Sequence, residues 1–118
     1  MPPRGDRARL LHMFDHAVEA HELMQGRTRD DLDSDRVLML ALVRLLEIVG
    51  EAASRVSAGF RDAHPTPWLQ IVGLRNRLIH GYDSVDLDVL WQIAVIDLPP
   101  LIVELQSLLA TGLDAAEG

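Results

Sequence analysis

An almost uninterrupted apolar stretch, residues 37–49, constrains the fold most. It reads VLMLALVRLLEIV, and only Arg44 and Glu47 in it are polar. A helix with this sequence is apolar on nearly every side, so most of its surface has to be covered. The stretch therefore predicts either a helix through the centre of a bundle or a helix with one face against another chain.

Length and composition predict a single packed domain over residues 1–118. Of the 118 residues, 48% are hydrophobic and 25% are charged, which does not fit a disordered chain. The core is expected to span about residues 8–109, with flexible ends. Because the chain has no cysteine, disulfides, thiolate catalysis and cysteine-bound zinc are excluded. We recognise neither a signal peptide nor a charge-free membrane span, and we expect a cytoplasmic protein without a membrane partner.

Helical periodicity and turn residues predict an all-α fold, an antiparallel bundle of four or five helices. Pro99–Pro100 is expected to kink or split the last helix, because each proline removes a backbone donor. The predicted helices run from about Asp6 to Met24, from a cap at Ser34 or Asp35 towards Gly59, from Pro67 to a cap at Gly81, and from Val85–Asp88 to about Leu109.

The segment RNRLIHGYD, residues 75–83, concentrates chemically active side chains at the end of the third predicted helix. On a continuous helix Arg75 points out of the middle of an apolar stripe, where an unpaired charge is costly. We therefore expect it to meet a carboxylate (Glu47 or Glu51), a phosphate or an open interface.

His80 lies five residues after Arg75, about 140° away around an ideal helix. The two side chains converge only if the helix end unwinds or if a second copy supplies one of them. This offset favours a site at a dimer interface. Taken alone, His80 is also compatible with a cationic helix C-cap, and Tyr82 with a packing aromatic residue.

The charge distribution singles out the same region. The formal net charge is −7, which argues against non-specific binding of nucleic acids. Residues 55–82 nevertheless hold Arg55, Arg61, Arg75 and Arg77 against Asp62 alone, a local charge of +3. A dimer would unite two such basic islands.

The pattern R-x-x-x-x-H-x-Y, formed by Arg75, His80 and Tyr82, resembles the signature of HEPN-domain ribonucleases. The surrounding sequence is similar to the HepT toxin branch of that family, and the resemblance covers roughly residues 8–109. The similar residues outside the signature are Pro67–Trp68, Asn76, Val85–Asp86, Trp91, Leu98–Pro99 and Gly50–Ala52.

This resemblance implies a metal-independent endoribonuclease without a cofactor. Arg75 would bind the scissile phosphate, and His80 would act as general acid or base. Asn76 and Arg77 would have supporting, phosphate-orienting roles. The 2′-hydroxyl of RNA would be the internal nucleophile, so no DNA substrate is expected.

The resemblance also implies two protein partners. One is a second copy of the chain, in a homodimer whose cleft holds the site. The other is an MntA-like nucleotidyltransferase antitoxin, which would attach AMP to Tyr82 in a type II-like toxin–antitoxin pair.

Two alternatives stay open at this point. One is a non-catalytic HEPN module that only docks a nucleotidyltransferase. The other is a structural helical dimer in which Arg75 merely pairs with Glu47 or Glu51. The presence of both Arg75 and His80 favours the ribonuclease, because a docking module has no need of an imidazole there.

Overall fold

Helices dominate the residues that a computed structural model describes, 4–81 and 84–117, so the predicted all-α bundle is confirmed. A short antiparallel hairpin of two strands interrupts the helices. In chain order the elements are α1 (Arg4–Leu23), α2 (Asp31–Ser34), α3 (Arg36–Ser54), α4 (Ala58–Ala63), α5 (Trp68–Val72), α6 (Leu74–Leu78), β1 (Ile79–His80), β2 (Ser84–Val85), α7 (Leu87–Trp91), a π-helical segment (Gln92–Asp97) and α8 (Leu98–Glu117).

Helix α3 is the centre of the bundle. Asp35 caps its start, because its carboxylate accepts a hydrogen bond from the Leu38 amide at 3.0 Å. The helix packs against α1, α2, α5 and α6, and Leu42 and Leu46 are fully buried. Its first turns keep one apolar side open, where Val37 is 77% exposed and Leu40 47%. The apolar stretch of residues 37–49 is thus covered on most sides and open on one.

Helices α1 and α8 close the core beside α3. The buried positions of α1, such as Leu10, Met13 and Ala17, are three and four residues apart and form one stripe. Residues 87–110 are long and apolar enough to cross a membrane by composition. Their buried members, among them Leu90 and Leu105, belong instead to the same core cluster as α1 and α3.

The irregularity expected at Pro99–Pro100 lies in the turn before the two prolines. There the Leu98 amide donates to the Ile93 carbonyl, five residues back, as in a π-helix. Since Pro99 has no N–H, the Ala94 carbonyl lacks a donor from its own helix. His21 of α1 contacts that carbonyl through its Nδ1 at 3.4 Å. The other ring nitrogen of His21, Nε2, lies 3.1 Å from Gln25 Nε2. The helix is therefore widened rather than split, and α8 continues beyond the expected end near Leu109 to Glu117.

The third predicted helix is wrong in two respects. It is divided at Gly73 into α5 and α6, and it ends at Leu78 rather than at Gly81. Ile79 and His80 instead pair with Val85 and Ser84 in the hairpin. Gly81 does adopt a left-handed conformation, with φ of 79°, but it follows a strand and does not cap a helix.

The connection between the first two long helices contains the single turn α2. Arg29 lies just before α2 and bridges Asp33 and Asp88, at 2.9 Å and 2.8 Å. Hydrogen bonding to Asp88 raises the pKa of the Arg29 guanidinium above its ordinary value. This bridge connects α2 to the first turn of α7.

Candidate active site

A surface groove of about 550 Å³ separates α3 from α5 and α6. We call it the Arg75 groove; it is lined by Arg44, Glu47, Gly50, Glu51, Ser54, Val72, Arg75 and Asn76. Its floor depends on Gly50, since a Cβ there would lie 3.0 Å from the Ile71 carbonyl oxygen. Only a glycine lets the two walls approach this closely without a shift of the backbone.

Arg75 lies on the wall of this groove rather than in an apolar stripe. Its side chain is 64% exposed, and its Nε donates to Glu47 Oε2 at 3.3 Å. The predicted stripe position is wrong: the helix is interrupted at Gly73, between α5 and α6, and the buried residues of α6 are Leu74 and Leu78. Of the partners considered for Arg75, the structure shows a carboxylate, that of Glu47. An exposed pair of this kind contributes at most about 1 kcal/mol, which leaves the guanidinium available to a phosphate.

His80 is exposed on β1, at the end of the hairpin. Its side chain is 60% exposed, and its Nε2 lies 3.8 Å from Asp86 Oδ2. The helix C-cap interpretation is wrong, because Ile79 occupies that position. The 140° offset from Arg75 does not apply either, since the chain is extended after Leu78. His80 is not among the residues that line the Arg75 groove.

Asp86 was part of the quoted family resemblance but had no assigned role. It is the N-cap of α7, where Oδ1 accepts a hydrogen bond from the Val89 amide at 3.1 Å. Its other carboxylate oxygen is the one nearest His80. An Asp directly before an apolar helix is a recognisable cap signal, but its closeness to His80 depends on the hairpin, which was not predicted from the sequence.

The supporting residues proposed from the sequence do not all come together. Asn76 lines the Arg75 groove. Arg77 lies beside Asp97, with Nη2 3.8 Å from Oδ2, and lines a second groove of about 630 Å³ between α5, α6 and α8. Tyr82, the expected modification site, lies outside the described residues.

The arginines of the basic island are largely paired. Arg55 contacts Glu51 at 2.9 Å, in addition to the Arg75–Glu47 and Arg77–Asp97 pairs. Nε of Arg61 is buried without a hydrogen-bond partner in the described part of the chain. The island is therefore less positive at short range than its local charge of +3 indicates.

The chemistry that the site offers is that of an exposed guanidinium and an exposed imidazole. A guanidinium binds phosphate oxygens in a forked geometry, and an imidazole can give or take a proton near neutral pH. Within residues 4–81 and 84–117, no group of three or more His, Asp or Glu side chains could hold a metal ion. The side chains of Arg75 and His80 suit acid–base chemistry on a phosphodiester.

Comparison with known proteins points in the same direction. The profile of a family described as "Ribonuclease HepT-like" matches residues 13–108. A protein of Methanocaldococcus jannaschii named "Putative RNase MJ1380" is 33% identical over 107 residues, which cover 90% of this chain and 98% of that protein. A protein of Thermococcus cleftensis named "Probable ribonuclease HepT" is 38% identical over 89 residues, 71% of this chain and 81% of that one. Among solved structures, none gives a significant match.

Proposed function

Because the chain belongs to the ribonuclease HepT-like family, we propose that it is an endoribonuclease toxin that cuts RNA without a metal ion. The observation that carries the proposal is the exposure of both signature side chains, 64% for Arg75 and 60% for His80. Side chains kept for packing would be buried, whereas these two are open to a substrate.

In the proposed reaction the ribose 2′-hydroxyl attacks the adjacent phosphorus. A histidine accepts the 2′ proton, a new P–O bond forms, and the bond to the 5′ oxygen breaks. The leaving oxygen takes a proton from an imidazolium, so the products are a 2′,3′-cyclic phosphate and a 5′-hydroxyl. Arg75 stabilises the negative charge that develops on the phosphate oxygens, and Asn76 orients the phosphate from the same groove. Arg77, beside Asp97, would act only on RNA that extends past the site.

We further infer that the complete site combines Arg75 of one copy with His80 of another. In a single copy His80 does not line the Arg75 groove. The open apolar side of α3, formed by Val37 and Leu40, is on the same helix as the groove residues Arg44 and Glu47. Burial of this apolar side in a homodimer would place a second copy next to the groove.

The test is cleavage of single-stranded RNA by the purified protein and by His80→Ala. We expect the substitution to lower the cleavage rate at least about 100-fold, as loss of an acid–base group does. His12→Ala, a change at an exposed position of α1, is the control and should cleave normally. If His80→Ala cleaves RNA at the normal rate, the chain is not a ribonuclease of this mechanism; if the unmodified protein itself cleaves no RNA, the docking-module alternative is favoured.

Mixing two inactive variants tests the shared site. In a heterodimer of Arg75→Ala and His80→Ala, one of the two clefts would keep both residues. Random exchange of subunits makes about half of the dimers mixed, so about a quarter of the normal activity should return. No recovery after proven subunit exchange would place both residues of each site in one copy.

We also propose that a nucleotidyltransferase antitoxin silences the toxin by attaching AMP to Tyr82. The support is the position of Tyr82, two residues after His80, where a bulky anion would compete with the RNA phosphate. Incubation with such a partner and ATP should add the mass of one AMP per chain and abolish cleavage. Tyr82→Phe should gain no mass; a gain that persists in this variant would point to another residue.

A further inference from the structure

Asp86 is fixed by two hydrogen bonds, one to each neighbouring helix. Its amide donates to the Leu78 carbonyl at 2.8 Å, which attaches it to the end of α6. Its Oδ1 accepts from the Val89 amide at 3.1 Å, which attaches it to the start of α7. The hairpin that carries His80 lies between these two attachments. The carboxylate consequently has little freedom to rotate, and the position of its second oxygen is set by the fold.

That second oxygen, Oδ2, is directed at His80. It lies 3.8 Å from Nε2, a close contact that is too long for a hydrogen bond. Hydrogen bonds in active sites often tighten only when the substrate binds. A carboxylate next to Nε2 favours the form of the imidazole that carries a proton on this nitrogen. Nδ1 is then the nitrogen that remains for the RNA.

We propose that Asp86 is the positioning residue of His80: it holds the imidazole through Nε2 and presents Nδ1 to the ribose and the leaving oxygen. The inference rests on the proposed ribonuclease function. Asp86 touches no substrate atom and acts through the orientation of His80. One carboxylate thus caps a helix with one oxygen and orients a histidine with the other.

Asp86→Asn separates the two roles of the residue. Asparagine caps helices about as well as aspartate, so the contact with Val89 survives. Its amide group removes the negative charge beside Nε2 and can donate to this nitrogen, which favours a proton on Nδ1 instead. In buried catalytic triads an equivalent change lowers kcat by about 10⁴-fold through the wrong tautomer. Since His80 is 60% exposed, we expect a smaller loss, about 10- to 100-fold.

The matched control is Asp35→Asn. Asp35 is also an N-cap whose carboxylate accepts a hydrogen bond from the amide three residues later, and it forms an ion pair with Arg27 at 3.7 Å. It caps α3, however, and not the helix beside His80. The experiment measures kcat and KM on a short RNA, the melting temperature, and the nitrogen chemical shifts of the His80 imidazole. Asp86→Asn should lower kcat with KM and the melting temperature unchanged, and should shift the His80 resonances. Asp35→Asn should change none of these.

The outcomes distinguish this inference from the proposed function. If His80→Ala is inactive while Asp86→Asn cleaves within about twofold of the normal rate, Asp86 is only a cap and the inference fails alone. If His80→Ala is fully active, both fail. Asp86→Ala should lose both roles and lower kcat and the melting temperature together; a fall in melting temperature with normal kcat would also overturn the positioning role.

Discussion

At the scale of single residues, Arg75 and His80 are positioned by different kinds of secondary structure. Arg75 is placed by a helix wall and keeps one exposed carboxylate contact, at 3.3 Å to Glu47. His80 is placed by a hairpin and faces a carboxylate that is itself fixed by a cap. The identities of both residues could be read from the sequence, but their surroundings could not, because those depend on where α6 ends.

Arg75→Lys should lower RNA cleavage about 10- to 100-fold. Lysine keeps the positive charge but loses the planar fork that binds two phosphate oxygens at once. The melting temperature should change little, since the exposed pair with Glu47 contributes under about 1 kcal/mol. Rates at saturating RNA and a thermal melt check both expectations. Arg27→Lys, at an arginine that pairs with Asp35 at 3.7 Å, is the control and should cleave normally. A fully active Arg75→Lys would show that a point charge suffices.

At the scale of elements, the sequence predicted the long helices well and the segment after Pro67 poorly. The apolar stripes and the cap at Asp35 are local signals, and the structure confirms them. The end of α6 is instead decided by pairing with residues that follow later in the chain. The Asp86 amide donates a hydrogen bond to the Leu78 carbonyl, and Ile79 pairs with Val85 in the hairpin. Ile79 and Val85 are both β-branched and therefore favour the extended conformation. Their pairing prevails over continuation of a helix that Gly73 already weakens.

The contact between α1 and the π-helical segment gives a stability prediction. His21→Ala would leave the Ala94 carbonyl without its side-chain partner, at a cost of about 1–3 kcal/mol. In a chain of this size that corresponds to a fall in melting temperature of roughly 4 °C per kcal/mol. His16→Ala is the matched control. Its Nδ1 also lies near a carbonyl, that of His12 at 2.6 Å, but α1 already pairs this carbonyl, so the change should cost under about 0.5 kcal/mol. Equal effects of the two substitutions would contradict a special role of His21.

At the scale of the whole molecule, the described surface carries two open apolar regions with a pair of large side chains each, besides the single residues Leu23 and Leu69. One is on α3, with Val37 and Leu40, beside the Arg75 groove. The other consists of Ile96 in the π-helical segment, which is 55% exposed, and Val103 in α8, which is 65% exposed. The net charge of −7 opposes close approach of two copies in general, so the contact has to be specific. The proposed shared site requires the α3 region to be the one that pairs.

Leu40→Glu should therefore convert the protein to a monomer and abolish cleavage. A charge in the centre of an interface cannot be hydrated when the copies associate. Val103→Glu introduces the same charge on the last helix and should leave both the dimer and the activity intact. Sedimentation and RNA cleavage would be measured on both variants. If Val103→Glu is the one that dissociates, the interface lies on the last helix and the shared site has to be abandoned.

The π-helical segment also makes the last helix sensitive to insertions and deletions. Each residue added to or removed from Gln92–Asp97 turns α8 by about 100° about its axis relative to α7. Leu98 and Leu105, now in the core, would then turn away from it, and neighbours such as Glu104 would turn inwards. Changes of three or four residues would keep the same face inward. Length variation in related chains should therefore occur in whole turns at this point, unless it also removes the π-helical segment.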